Sequence, residues 1–182
     1  MLSGSHTGQL MHTDNKRETA FLGLGSNMGD RKSNIERAVS LIGAEQNMDV
    51  EKVASVIETE AVGGGEQCDF LNTVMQVAAG VSPYELLDMV RSVEKQVGRT
   101  PSREWGPRTI DIDILFYNST VIVSGDLVIP HPLACERIFT LKPMAEIAPA
   151  LLHPVFNRTI EELYRERRDV LNLFRSHEWA VR

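Results

Sequence analysis

Two aspartates separated by one isoleucine stand inside the alternating run Ile110-Asp111-Ile112-Asp113-Ile114. Alternation with period two describes a β-strand. Its isoleucines enter one face, and its carboxylates leave the other side by side, about 6.5 to 7 Å apart. Aspartate is poor at making strands, and adjacent anions repel. One reading is a solvated outer face. The other is a site for a hard divalent cation, Mg²⁺ above all, which keeps waters and takes one or two carboxylates together with substrate phosphates. The residues just before the pair shift the balance, because Arg99, Arg103 and Arg108 precede it with Trp105 among them. Guanidinium forks suit phosphate oxygens. Any one of these arginines alone reads as a surface or salt-bridge residue. Beside paired carboxylates, the group points to a polyphosphate.

Other chemistries fit less well. Gly23-Leu24-Gly25-Ser26-Asn27-Met28-Gly29 places its third glycine one position late for a dinucleotide turn, and the chain has no GxxxxGK[ST] phosphate loop. Gly25-Ser26-Asn27 therefore reads as a strand-to-helix turn that a ligand can approach closely. His131 lies between two prolines without a serine or cysteine elbow, and a lone histidine is commonly structural. Cys68 and Cys135 have neither disulfide nor zinc spacing and read as ordinary thiols. The 182 residues carry a net charge of −6, which disfavours non-specific nucleic-acid binding. No apolar run approaches the ~18 residues of a membrane span, and the first twenty residues hold no signal-peptide centre. The expectation is a cytoplasmic monomer acting on small molecules, with no nucleic-acid or membrane partner.

The elements that must carry these residues can be read from periodicity. Residues 1–20 are polar and patternless, a flexible extension or an expression remnant. Thr19 to Leu24 reads as a strand, Asp30 to Ile42 as a helix with a Ser33/Glu36 capping box, Val50 to Glu58 as a strand and Phe70 to Ala79 as another. Pro83 opens a helix with the stripe Leu86, Met89 or Val90, Val93 and Val97 that ends at Gly98. Short strands follow around Val121 and Val128, then loops and short helices from Pro130 to Pro154, then a charged helix from Ile160 to Trp179. Strands and helices in this order favour α+β over a doubly wound parallel sheet.

Four segments in order, Gly25-Ser26-Asn27, Phe70-Leu71-Asn72, Trp105-Gly106-Pro107-Arg108-Thr109-Ile110-Asp111-Ile112-Asp113 and Ile129-Pro130-His131-Pro132, resemble the 6-hydroxymethyl-7,8-dihydropterin pyrophosphokinases of folate biosynthesis. The resemblance covers about Phe21 to Tyr164. It implies a ferredoxin-like α/β/α sandwich with a mostly antiparallel central sheet, in which residues 21–165 form the catalytic domain and 166–182 a helical tail. It also implies pyrophosphate transfer from ATP, the co-substrate, to the pterin hydroxymethyl oxygen with release of AMP, aided by two Mg²⁺ ions. Carried over residue by residue, Asp111 and Asp113 match metal ligands, and Arg99 and Arg108 match catalytic phosphate-binding arginines. Asn72 and Thr59 match pterin contacts, and Phe70 and Phe139 match the rings that sandwich the pterin. Glu94, Trp105, Ile114, His131 and Arg137 match positions around the nucleotide. The chain departs from the family at Ile57-Glu58-Thr59-Glu60-Ala61, where the family often has an aromatic residue before the threonine position and a proline soon after it.

The chemistry so implied needs in-line placement and charge neutralisation more than covalent work. Either Asp111 or Asp113 takes the hydroxyl proton, or metal polarisation of the hydroxyl removes the need for a base. The segments from Gly63 to Asp69 and from Arg99 to Pro107 are expected to close over the ligands, the second ordered by nucleotide before pterin arrives. Two rivals share these residues: another Mg²⁺-dependent nucleotidyl or phosphoryl transferase, and a binding module without turnover. The nucleotide product separates them.

Overall fold

The computed structural model describes residues 17–60, 68–100 and 106–177, with the side chains of 171–177 excepted. The extension up to residue 16, the three glycines from Gly63, and Arg103 and Trp105 lie outside the described residues, as do most of the two segments expected to close. The elements are β1 (Glu18–Ser26), α1 (Arg31–Ala44), β2 (Met48–Val53), β3 (Ile57–Thr59), β4 (Phe70–Ala79), α2 (Pro83–Val97), β5 (Asp111–Tyr117), β6 (Ile122–Val123), β7 (Val128–Ile129), α3 (Ile138–Ile147) and α4 (Ile160–His177). The main sheet has the order β2-β4-β1-β5, with β3 also on β4, and every pairing in it is antiparallel. This is the α+β architecture that the sequence predicts. Strands β6 and β7 form a separate hairpin.

Each face of the sheet collects its own core. Ala20, Leu22 and Leu24 of β1, Met75 and Val77 of β4, and Ile112 and Ile114 of β5 pack against Ile35, Ala38 and Ile42 of α1 and Leu86, Val90 and Val93 of α2. On the other face Phe21, Val74 and Leu115 meet Leu141 and Met144 of α3 and Ile160 and Leu163 of α4. The alternation read in Ile110 to Ile114 is therefore real: the isoleucines are buried and the aspartates face the other layer. Helix α4 runs without interruption across position 165.

Two local expectations need correction. Helix α1 is capped by Asp30, whose side chain accepts from the Ser33 N–H at 3.0 Å, instead of by Ser33 and Glu36. Ser33 already lies within the helix, so its hydroxyl comes too late to cap it. The capping box is on α2, where Ser82 and Glu85 bond reciprocally ahead of Pro83. The stretch from Val50 to Glu58 is two strands, because the register on β4 slips between Val50 and Lys52 and the chain leaves the ladder before β3. Both thiols are free. Among the described residues no helix is long and apolar enough to cross a membrane.

Candidate active site

The site begins with side chains that are missing. Strand β1 lies between β4 and β5, and its register puts Gly25 between Asn72 and Asp111, and Gly23 between Val74 and Asp113. Residues paired across strands share a face. Asn72 on one side and the aspartates on the other thus project from strands about 10 Å apart, with bare backbone between them. At Gly25 a Cβ would stand 2.9 Å from Asn72 Oδ1 and 3.5 Å from the Phe70 ring, so only glycine leaves both in place. The result is a cavity of about 560 Å³, which suits a small-molecule ligand. Thr59, Phe70, Asn72, Arg108, Asp111, Asp113, His131, Arg137 and Phe139 all line it.

On the pterin side predicted from sequence, Asn72 Nδ2 donates to Thr59 Oγ1 at 2.8 Å, which fixes the amide orientation through β3. The Arg137 guanidinium lies 5.5 Å over the Phe139 ring. Opposite, Asp111 is held by two arginines, Oδ1 by Arg99 at 2.8 Å and Oδ2 by Arg108 at 2.5 Å. Burial, and then the charge of Asp111, raise the pKa of Asp113, while His131, Arg137 and Arg108 draw it back down. His131 Nε2 stands 4.0 Å from Asp113 Oδ1, and the His131 N–H donates to the Leu115 carbonyl at 2.9 Å on the open edge of β5.

Glu94 serves that same edge. It is 7% exposed, pairs with Arg99, and accepts the Ile112 N–H at 2.8 Å. Burial raises its pKa, opposed first by the Ile112 N–H and then by Arg99. Glu94 and Arg99 thus sit beside the cavity and not in its wall, with Glu94 underpinning Arg99. Ile114 points its side chain into the core of the opposite face.

The sequence reading took Gly25-Ser26-Asn27 as a turn open to a ligand; in the fold, Ser26 and Asn27 are fasteners. Asn27 Oδ1 accepts the Arg108 N–H at 2.6 Å, the Asn27 N–H donates to the Arg108 carbonyl at 3.1 Å, and Ser26 Oγ donates to the Thr109 carbonyl at 2.6 Å. Asn27 Nδ2 also reaches the Cys68 carbonyl at 3.4 Å. Arg31 binds Glu58 at 2.7 Å and the Asp69 carbonyl at 2.6 Å, so it holds both stems of the β3–β4 connection. These bonds join residues far apart in sequence, and residue type alone carried little sign of them. Glycines two apart within a strand were the available signal for the trough.

The family model for 7,8-dihydro-6-hydroxymethylpterin-pyrophosphokinase matches residues 21–149. The chain belongs to this family. The Aquifex aeolicus 2-amino-4-hydroxy-6-hydroxymethyldihydropteridine pyrophosphokinase is 42% identical over 148 residues, covering 81% of this chain and 91% of its own. The Bacillus subtilis enzyme of the same name is 42% identical over 128 residues, 70% of this chain and 77% of its own. Among solved structures, a Plasmodium falciparum HPPK-DHPS variant with SDX-DHP aligns with a TM-score of 0.72 at 16% identity, over 93% of this chain and 48% of that one. The wild-type form with STZ-DHP gives 0.66 at 18% identity, over 87% and 43%. The chain spans less than half of those longer proteins, and at such identities they speak for the fold. As a member of the family, this pyrophosphokinase is an ATP-dependent diphosphotransferase, and its family transfers pyrophosphate from ATP to hydroxymethyldihydropterin in folate synthesis.

Proposed function

We propose that this pyrophosphokinase works with two Mg²⁺ ions and releases AMP as it transfers the β,γ-diphosphate of ATP to the hydroxymethyl oxygen of 6-hydroxymethyl-7,8-dihydropterin. The observation that carries this reading is the trough across three strands: Phe70 and Asn72 flank bare Gly25 on one side, Asp111 and Asp113 on the other. A flat uncharged bicycle suits the aromatic and amide side. A polyphosphate suits the other.

The carboxylates fit the implied metal. They share one strand face, and among the described residues no third His, Cys, Asp or Glu closes a cage around them. An ion that draws its remaining ligands from water and phosphate needs no such cage. When bound, Mg²⁺ supplies neutralisation of the charge on the transferred diphosphate. Asp111 and Asp113 would hold it. Arg108, oriented by Asp111 and by the Asn27 bonds to its backbone, offers paired donors to phosphate oxygens, and Arg99 does so from the rim. His131, Arg137 and Trp105 are assigned to the nucleotide, with Glu94 acting through Arg99 and Ile114 through its backbone. Phe70 and Phe139 stack on the pterin while Asn72 and Thr59 bond its edge, and together the two sides bring the hydroxymethyl oxygen in line with the β-phosphorus.

Residues 21–165 are assigned to the transfer, with 1–20 an extension and 166–182 a tail. The protein is assigned as a cytoplasmic monomer with small-molecule partners only. Incubation with ATP, Mg²⁺ and 6-hydroxymethyl-7,8-dihydropterin, followed by separation of the nucleotides, tests the reaction. AMP with a pyrophosphorylated pterin is the expected result, and ADP as the sole nucleotide product would exclude it.

A further inference from the structure

One charged residue of the cavity lining is unused by the scheme above. Arg167 of α4 lines the cavity together with Arg137, Phe139 and Thr140. It lies beyond residues 21–149, which the family model matches, so the family's motifs give it no role.

Helix geometry explains how it arrives there. Helix α4 starts beside the end of α3, where the Ile160 N–H donates to the Leu151 carbonyl at 2.9 Å and the Glu161 N–H to the Pro149 carbonyl at 3.1 Å, and the two helices pack together. From Ile147 back to Thr140 is seven residues, and from Ile160 on to Arg167 is also seven. Each step advances about 10 Å, so α4 running back along α3 brings Arg167 level with Thr140. Ile160, Leu163 and Arg167 share one helix face. The first two are 0% and 9% exposed, and the next turn of that face emerges over the cavity.

Its neighbours on and before α4 are occupied: Arg158 pairs with Glu166, Arg165 with Glu161 at 2.6 Å and Arg168 with Asp169 at 3.0 Å. No hydrogen bond or ion pair joins Arg167 to any partner among the described residues. A guanidinium whose donors meet no partner among the described residues, carried on a packed helix at the cavity, is matched to an anion. The pterin is neutral, so the anionic part of the reactants is the polyphosphate. Arg137, which lines the same cavity beside Phe139, also acts electrostatically on Asp113, so a guanidinium in this lining reaches the field of the carboxylate side. The adenosine and α-phosphate leave as AMP, whereas the outer phosphate of the transferred diphosphate belongs to ATP before transfer and to the pterin product after it.

We propose that Arg167 binds this outer phosphate, the γ-phosphate of ATP and the terminal phosphate of the product; the assignment rests on the transfer reaction above. Arg167, the second residue of the tail, then completes a site built otherwise within residues 21–165. The test measures Kd for ATP and for AMP, each with Mg²⁺, on the full chain and its Arg167→Gln, Arg167→Lys and Arg168→Gln variants. Arg167→Gln should weaken ATP about tenfold, the scale of one exposed charge-assisted bond, and leave AMP unchanged. Arg167→Lys should recover part of the loss, and Arg168→Gln should match the parent. Unchanged ATP affinity in Arg167→Gln overturns the proposal, as does equal weakening of ATP and AMP or an equal loss in Arg168→Gln. The nucleotide product of the parent enzyme is determined alongside. ADP there defeats the reaction and this assignment together, whereas AMP there with unaltered ATP binding by Arg167→Gln defeats only the assignment.

Discussion

The two faces of β1 share one backbone and carry opposite kinds of surface. Toward α1 and α2 it presents Ala20, Leu22 and Leu24, all buried in a continuous core. Toward α3 and α4 it presents Phe21, then Gly23 and Gly25, and the packing ends where the glycines begin. One face is completed by side chains, the other is opened by their removal. Each fully buried aliphatic side chain on the filled face contributes about 1.5 to 3 kcal/mol. That stability lets the open face carry carboxylates and arginines that contribute little to folding. A catalytic surface here is the unfilled half of a sheet whose other half does the folding.

Substitutions on β5 should divide along the same line with the largest effects. Asp113→Asn, on the open face, should lower kcat by about 10²- to 10³-fold and leave the fold intact, whereas its neighbour Ile112→Asp should cost several kcal/mol by placing a charge in the filled core. Thermal melting together with turnover per folded molecule reads both. Unfolding by Asp113→Asn with full activity in its folded fraction would erase the division. A smaller effect is expected of Gly25→Ala, whose new methyl displaces the Asn72 amide from its Thr59 bond: pterin Kd should rise about tenfold with Tm nearly unchanged. If pterin binds the variant as well as the parent, the bare backbone is not what makes the cavity.

The smallest effect concerns the packed end of the open face. His153 is 5% exposed, lies edge-on to Phe116 with ring centroids 5.4 Å apart, and accepts the Val155 and Phe156 N–H groups at Nδ1, both at 3.2 Å. Burial lowers its pKa below the usual 6.5. The unfolded chain therefore takes up the proton first, and the stability His153 contributes is complete above about pH 6.5 and lost as pH falls toward the lower native value. Melting curves between pH 5 and 7 should show a decline that is shallower in His153→Gln. Parallel declines in the two proteins would remove His153 as its source.

Legibility followed the range of the interactions. The β5 alternation and the α2 stripe were readable because each pattern is local and repeats within one element. Pro83 and Gly98 likewise marked the ends of α2 through their own backbone preferences, Gly98 at φ 112°. The trough showed in the sequence only as two glycines two apart, since Gly23 and Gly25 acquire their meaning from the partners that flank them in the sheet. The division between β2 and β3 comes from a register slip against β4, which composition does not record. Among the site residues, the acid pair and its adjoining Arg108 stood out by spacing. The Asn27 clasp on Arg108, the Arg31 clasp on the β3–β4 stems, and Arg167 all depend on long-range packing.

The place of β1 in the middle of the sheet also sets the order in which this enzyme can assemble. β1 is synthesised before either strand that flanks it, and Gly25 must await Asn72 and then Asp111 before both of its edges are paired. During that interval an apolar strand has two open edges, the arrangement most prone to pair with another chain. Closing it requires distant segments to meet, which slows folding relative to a helical bundle of similar size. The most aggregation-sensitive moment in the life of this protein therefore comes before β5 emerges, and chains arrested ahead of Asp111 should be the ones that depend on a chaperone.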